Sequence, residues 1–267
     1  NFFALGGHSL AATRVISRIQ KQLNWELPLR SIFEYPTIAE LAKKVEAVTT
    51  NRTEPPAISA LPRHEGGATP SPLSFAQQRL WVLDRLEPNS ATYNVPFVLR
   101  LTGPLNVGAL ESALSEVVRR HEVLRTEFHS RNGEPLQVVL ANAPVSVTIV
   151  DLRTVPSAQR EAEAMRLAIA ESRKPFCLRQ GPLLRASLLQ LADSEHILLI
   201  TVHHIAFDGW SMATLLAEVS QLYGSAVRGE PSRLPELPCQ YGDFAAWQRH
   251  LLQGERLEQQ LSYWKRQ

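Results

Sequence analysis

The chain has 267 residues, 44% of them hydrophobic and 20% charged, and a formal net charge of +2, the balance of an ordinary globular protein with room for a small and a medium domain. No Lys/Arg block is interleaved with aromatics, and no apolar run approaches the roughly 20 residues of a membrane span, so neither nucleic acid nor a membrane is an expected partner. The two cysteines, Cys177 and Cys239, lie far apart without a CxxC pattern, which fits a reducing, cytoplasmic setting.

The opening string Asn1-Phe2-Phe3-Ala4-Leu5-Gly6-Gly7 has no basic region and no start methionine, so it reads as a chain cut from something longer rather than a signal peptide. After the loop Gly6-Gly7-His8, Ala12, Val15, Ile16, Ile19 and Leu23 recur at helical spacing, which predicts an amphipathic helix over about 9–23 with Ser9 as its N-cap. A short helical turn follows over 29–34. A third helix starts at Pro36-Thr37, with Ile38, Leu41, Ala42 and Val45 predicted on its buried side. Three helices in fewer than 50 residues bury little core, and a further helix is expected ahead of Asn1.

Residues 49–72 crowd Pro, Gly, Thr and Ser without apolar period, the composition of an interdomain linker. Beyond them, strand-like runs at 95–101, 136–140, 145–150, 183–191 and 196–202 alternate with helical patterns. One helix carries Leu110, Ala113, Leu114 and Val117. Another covers about 157–172, and a third carries Met212, Leu215, Leu216, Val219 and Leu222. The stretch 241–267 reads as largely helical. This order predicts an α+β or α/β layer with a mixed sheet.

Two places carry chemistry. Ser9 follows two glycines at a helix start, where its hydroxyl is exposed on a tight turn and could carry a covalent group. His203-His204-Ile205-Ala206-Phe207-Asp208-Gly209 falls between an apolar strand and an amphipathic helix. Adjacent histidines with a nearby aspartate could be metal ligands, an acid/base site or a structural His–Asp pairing. Successive strand side chains point to opposite faces, which makes the two histidines poor joint ligands, and no cysteine or second histidine pair adds donors; no metal is expected. The same alternation predicts one histidine packed in the fold and one facing a cavity. The tryptophans Trp81, Trp210, Trp247 and Trp264 read as packing residues.

The string Asn1-Phe2-Phe3-Ala4-Leu5-Gly6-Gly7-His8-Ser9-Leu10 resembles the phosphopantetheine attachment motif of peptidyl carrier proteins, and Ile32-Phe33-Glu34-Tyr35-Pro36-Thr37 resembles their third-helix region. That resemblance implies that Ser9 carries a 4′-phosphopantetheine arm, installed by a phosphopantetheinyl transferase, whose thiol holds an aminoacyl or peptidyl thioester. His203 to Gly209 matches the HHxxxDG signature of condensation domains and of the wider chloramphenicol acetyltransferase-like superfamily. Ser74-Phe75-Ala76-Gln77-Gln78-Arg79-Leu80-Trp81 resembles the family's first motif. Arg120-His121-Glu122-Val123-Leu124-Arg125-Thr126-Glu127-Phe128 resembles the second, and Tyr241-Gly242-Asp243-Phe244-Ala245-Ala246-Trp247 the fourth, all in the family's order.

The resemblance implies a fragment of a nonribosomal peptide synthetase. A small α-helical carrier bundle lacking its first helix covers 1–48, a linker 49–72, and the N-terminal lobe of an α/β, mixed-sheet condensation domain 73–267. It implies that His204 is the active-site residue and His203 mainly structural. Asp208 is expected to turn from the cavity to pair with Arg120 or Arg125, and Gly209 to let the backbone approach the reacting groups. The expected partners are an upstream adenylation domain, a downstream acceptor carrier and carrier-bound thioesters. With the second lobe absent, the fragment is expected to hold half an active site and to condense nothing alone. A non-catalytic carrier or docking module and an epimerisation-type relative are the competing readings; the intact histidine pair and the RHEVLRTEF string speak for condensation, with a lean towards an L-configured donor.

Overall fold

The computed structural model describes residues 1–23, 27–48, 56–63 and 70–267. They fall into two compact units, 1–56 and 57–267.

The first unit holds helices α1 (Ser9–Leu23), α2 (Arg30–Glu34) and α3 (Ile38–Val48). Ala12, Ile16, Leu27, Ile32 and Leu41 form its buried core, edged by Phe2, Phe3, Val15, Ile19 and Tyr35. Ile38 and Ala42, predicted to face inward, are exposed, Ile38 by 90%. Thr37 and Glu40 cap α3 reciprocally, the Thr37 hydroxyl donating to Glu40 Oε2 at 2.7 Å and accepting from the Glu40 amide at 3.3 Å. This fixes Ile38 as the first helical residue. The side chains of Leu23 and Val45 lie outside the described residues.

The second unit is built on a four-stranded sheet in the order β2 (Asn94–Thr102), β7 (Glu195–His203), β6 (Leu184–Ala192), β5 (Val147–Asp151). All neighbours are antiparallel except β5 and β6, which are parallel and joined through α6 (Ser157–Ser172), the crossover such a pair requires. Central strand β7 is buried on both faces, which explains its unbroken apolar run. Leu198, Ile200 and Val202 point to the core shared with α5 (Val107–Arg120) and α7 (Ser211–Arg228), whereas Ile197 and Leu199 point to the core shared with α6. A second sheet, β1 (Ser71–Pro72), β4 (Glu134–Val139) and β3 (Thr126–Arg131), joins α4 (Phe75–Leu86), α8 (Tyr241–Leu251) and α9 (Gly254–Trp264) to complete the unit.

Within the stretch 49–72, the described residues 57–63 and 71–72 depart from the linker reading. Ser71 and Pro72 pair with Gln137 and Leu136, and residues 57–63 belong to the second unit. Pro and Gly mark irregular backbone but say nothing of what its polar groups bond to, and here they bond to the lobe. Residues 49–55 and 64–69 lie outside the described set. Trp81 and Trp247 are half-buried as packing residues should be; Trp210 and Trp264 are exposed.

Candidate functional site

The end of β7 sets two histidines on opposite sides of one chain. His203, in phase with Ile197 and Leu199, is 3% exposed, while His204 is exposed. The strand is held at that point from both neighbours: the His203 amide donates to the Leu183 carbonyl at 3.1 Å and the His204 amide to the Tyr93 carbonyl at 2.8 Å.

His203 packs its ring against Phe176, edge-on at 6.0 Å, and against Tyr93 at 6.5 Å. Its Nδ1 accepts the buried Ile205 amide at 3.1 Å, so the ring is needed in its neutral form. Burial, with the nearby His204 and the Arg185 cation, pushes its pKa down to about 4 and keeps it so. Arg185 lies 3.8 Å over the Phe176 ring and is anchored by Glu171 Oε1 at 2.9 Å and the Lys174 carbonyl at 2.7 Å. Tyr93, Phe176 and Arg185 therefore support the site, although sequence reasoning did not single them out. The signal for Arg185 was a lone charge inside the apolar run 183–191.

His204 Nδ1 lies 2.6 Å from the Phe207 carbonyl oxygen. A carbonyl only accepts, so Nδ1 carries the proton and Nε2 is left with its lone pair. No described residue hydrogen-bonds Nε2.

Asp208 corrects an expectation. Among the described residues its carboxylate meets no arginine; Oδ1 accepts from the Trp210 amide at 3.1 Å, the Ser211 amide at 2.9 Å and the Ser211 hydroxyl at 2.7 Å. It caps the start of α7 from an exposed position, where amide donors satisfy a carboxylate without an ion pair. The arginines proposed as its partners are engaged elsewhere. Arg120 is buried, with Nε 3.4 Å from Glu218 Oε2 and Nη2 donating to the Pro235 carbonyl at 2.8 Å. The same Glu218 oxygen lies 2.8 Å from His121 Nε2. Arg125 donates to the Leu140 carbonyl and, at 3.3 Å, to the Arg119 carbonyl. A Cβ at Gly209 would meet nothing within 4 Å, so any crowding there has to come from outside the described chain.

The motif-like strings interlock away from the histidines. Ser74 and Gln77 form a reciprocal cap on α4, and Ser74 Oγ lies 3.1 Å from the Tyr241 hydroxyl. The Phe75 amide donates to Gln248 Oε1 at 2.9 Å, and Arg249 donates to the Leu73 carbonyl at 2.7 Å and to Gln78. Among the described residues, no three His, Cys, Asp or Glu side chains cluster to hold a metal. Nor is any helix among them long and apolar enough to cross a membrane.

In the first unit, Ser9 is exposed at the first position of α1. The capping acceptor is His8, whose Nδ1 takes the Ala11 amide at 3.4 Å, so Ser9 is not the N-cap residue expected, and its hydroxyl has no partner among the described residues. Gly6 has a φ of +88°, and a Cβ at Gly7 would overlap the Phe2 ring and carbonyl. The glycines thus serve the fold of their own loop, which is pinned by the Phe2 amide to the Pro36 carbonyl at 2.7 Å and by Phe3 stacked on Phe33 at 5.0 Å.

Comparison with known proteins agrees with both units. Residues 68–267 match the family model described as condensation domain, and residues 1–45 the one described as phosphopantetheine attachment site. The chain is 49% identical over 265 residues to a subunit of linear gramicidin synthase from Brevibacillus parabrevis, covering 99% of this chain but 5% of that protein. It is 42% identical over 268 residues to phosphinothricin tripeptide synthetase PhsB of Streptomyces viridochromogenes, covering 99% of this chain and 22% of that one. Among solved structures, the X-domain from teicoplanin biosynthesis superposes with a TM-score of 0.68 at 31% identity, over 79% of this chain and 45% of the other. The first condensation domain of the calcium-dependent antibiotic synthetase, in complex with a substrate analogue, gives 0.66 at 25% identity, over 74% and 47%.

Proposed function

Because the chain belongs to the condensation-domain family and opens with a phosphopantetheine attachment region, we propose that it is a carrier-plus-condensation segment of a nonribosomal peptide synthetase that forms amide bonds between carrier-bound substrates. The observation that carries this is the state of His204: exposed, with Nδ1 committed to Phe207 and Nε2 left as a proton acceptor. An α-amine has a reference pKa near 8, so a good part of it is already neutral at cell pH. Nε2 therefore needs only to accept a hydrogen bond from the attacking amine; as nitrogen bonds the thioester carbon and the C–S bond breaks, it takes the amine proton and passes it to the departing thiolate of the donor arm. Holding donor and acceptor together supplies much of the remaining acceleration.

Ser9 is the residue proposed to hold the 4′-phosphopantetheine. An exposed hydroxyl at the first position of a 15-residue helix, with no partner to give up, suits a phosphodiester, because the helix N-terminus favours negative charge. The arm supplies a flexible thiol that carries the acyl group as a thioester. Standing upstream of the condensation lobe, this carrier is read as the donor carrier. A phosphopantetheinyl transferase, an adenylation domain before it and an acceptor carrier after it complete the proposed partner set. The chain spans under half of the solved structures it matches, so the activity is assigned to the complete synthetase and not to these 267 residues alone.

A recruiting, non-catalytic role has one observation in its favour: one solved relative, 30% identical with a TM-score of 0.68, is the X-domain in complex with OxyB. Single-turnover assay of the complete synthetase with loaded donor and acceptor carriers decides between the two. Dipeptidyl product that requires His204 supports condensation, and a complete synthetase that binds both carriers but releases no product overturns it.

A further inference from the structure

Arg63 lies before the residues that match the condensation family and inside the stretch whose composition reads as linker. Its guanidinium nevertheless grips two carboxylates of the lobe. Nη1 donates to Asp243 Oδ1 at 2.7 Å and Nη2 to Oδ2 at 3.1 Å, while Nε and Nη2 donate to Glu122 Oε1 and Oε2 at 3.2 and 3.0 Å. Nη1 also reaches the Leu61 carbonyl at 2.6 Å, and the Leu61 amide donates to Asp243 Oδ1 at 2.9 Å. This double fork is a geometry that arginine supplies and lysine does not.

The carboxylates it joins belong to two of the motif-like strings. Asp243, whose side chain is fully buried, also accepts the Gln240 amide at 2.7 Å and so closes the start of α8. Glu122 opens the 3₁₀ turn Glu122–Arg125, and the Gln240 side chain accepts its amide at 3.1 Å and donates to the Arg120 carbonyl at 2.8 Å. Burial alone would raise the Asp243 carboxyl; the donors from Arg63, Leu61 and Gln240 outweigh it and hold the group below the ordinary aspartate range.

We propose that residues 57–63 are a strap belonging to the condensation lobe, clamped by Arg63 to the 3₁₀ turn and the start of α8, so that fewer residues are left to connect the upstream carrier to the lobe. The consequence for transfer rests on the proposed amide-forming function. With the strap clamped, about eight residues (49–56) join α3 to the lobe; released, at least about fifteen (49–63) do. Effective concentration falls roughly as the −3/2 power of connecting length, so release lowers it by at least about two- to threefold.

Two measurements test this. Amide exchange on the full chain reads the clamp without any activity. The Leu61 amide is expected to exchange slowly in the wild type, fast in Arg63→Ala, and at an intermediate rate in Glu122→Gln, which leaves the Asp243 fork intact and serves if Arg63→Ala fails to fold. A wild-type Leu61 amide exchanging at the rate of an unstructured peptide overturns the strap, whatever the enzyme does. In the complete synthetase, Arg63→Ala is expected to slow transfer from its own tethered carrier at least about two- to threefold and to leave transfer from a separately supplied donor carrier unchanged. Equal loss with both carriers overturns the tethering role.

Discussion

The Nδ1 of His204 and the carbonyl oxygen of Phe207 are 2.6 Å apart, and that hydrogen bond decides which nitrogen of the neutral imidazole is left as an acceptor. His204→Ala in the complete synthetase should slow amide formation by about 10²–10⁴-fold. His204→Asn is the sharper variant, since its amide can keep the bond to Phe207 while offering nothing where Nε2 stood. It should be as slow as the alanine variant with a wild-type melting curve. An asparagine variant of near-normal rate would show that the loop's shape, and not the imidazole, does the chemistry.

His203 should make the lobe acid-sensitive. Its folded-state pKa is depressed from 6.5 to about 4, so between those values the unfolded chain binds more protons than the folded one and stability falls as pH falls. Above pH 6.5 the residue has no such cost; by pH 4 the loss reaches about 3 kcal/mol. His203→Asn keeps an acceptor for the Ile205 amide and removes the titration. Denaturant melts from pH 7.5 to 4 should show this part of the acid slope in the wild type and not in the variant.

Asp208→Ala should cost about 0.5–2 kcal/mol, the worth of a helix cap, because among the described residues the carboxylate bonds only the start of α7. Asp208→Ser should recover most of it. A loss of 3–5 kcal/mol in chemical denaturation would instead signal a buried ion pair.

Ser9→Ala should gain no mass on incubation with coenzyme A and a phosphopantetheinyl transferase, whereas the wild-type carrier, supplied with the helix expected ahead of it, gains one arm. Since His8 and not Ser9 caps α1, helicity by circular dichroism should be unchanged, within the roughly 0.5 kcal/mol of an ordinary surface substitution. Arm transfer to the alanine variant would move the attachment point.

The sequence carried the opposite facing of His203, buried, and His204, exposed, because strand alternation is a local rule. Once the run 196–202 reads as a strand, the two positions must face apart. Several regular elements were legible as apolar runs; strands expected at 95–101 and 183–191 appear as Asn94–Thr102 and Leu184–Ala192, whereas β3 and α4 had not been expected. Polar partnerships were harder. Asp208 three residues before Ser211 is a helix-start signal, and it outranks the ion pair that family resemblance implies. Nothing local could tell that Arg63 would find Asp243, 180 positions away, or that Ser71 and Pro72 would find β4. Both depend on the fold that brings the segments together.

The sheet order sets a schedule for synthesis. Strand β2 leaves the ribosome more than 100 residues before the end of β7, its one neighbour among the described residues, since Asn94 pairs with His203. At roughly 5–20 residues per second that is a wait of about 5–20 s, during which an apolar strand has no partner and α5 lacks the α7 that covers it. The strand that ends in the histidine pair is therefore also the one that closes the sheet, and a nascent chain stalled before residue 203 holds neither the site nor a foldable lobe.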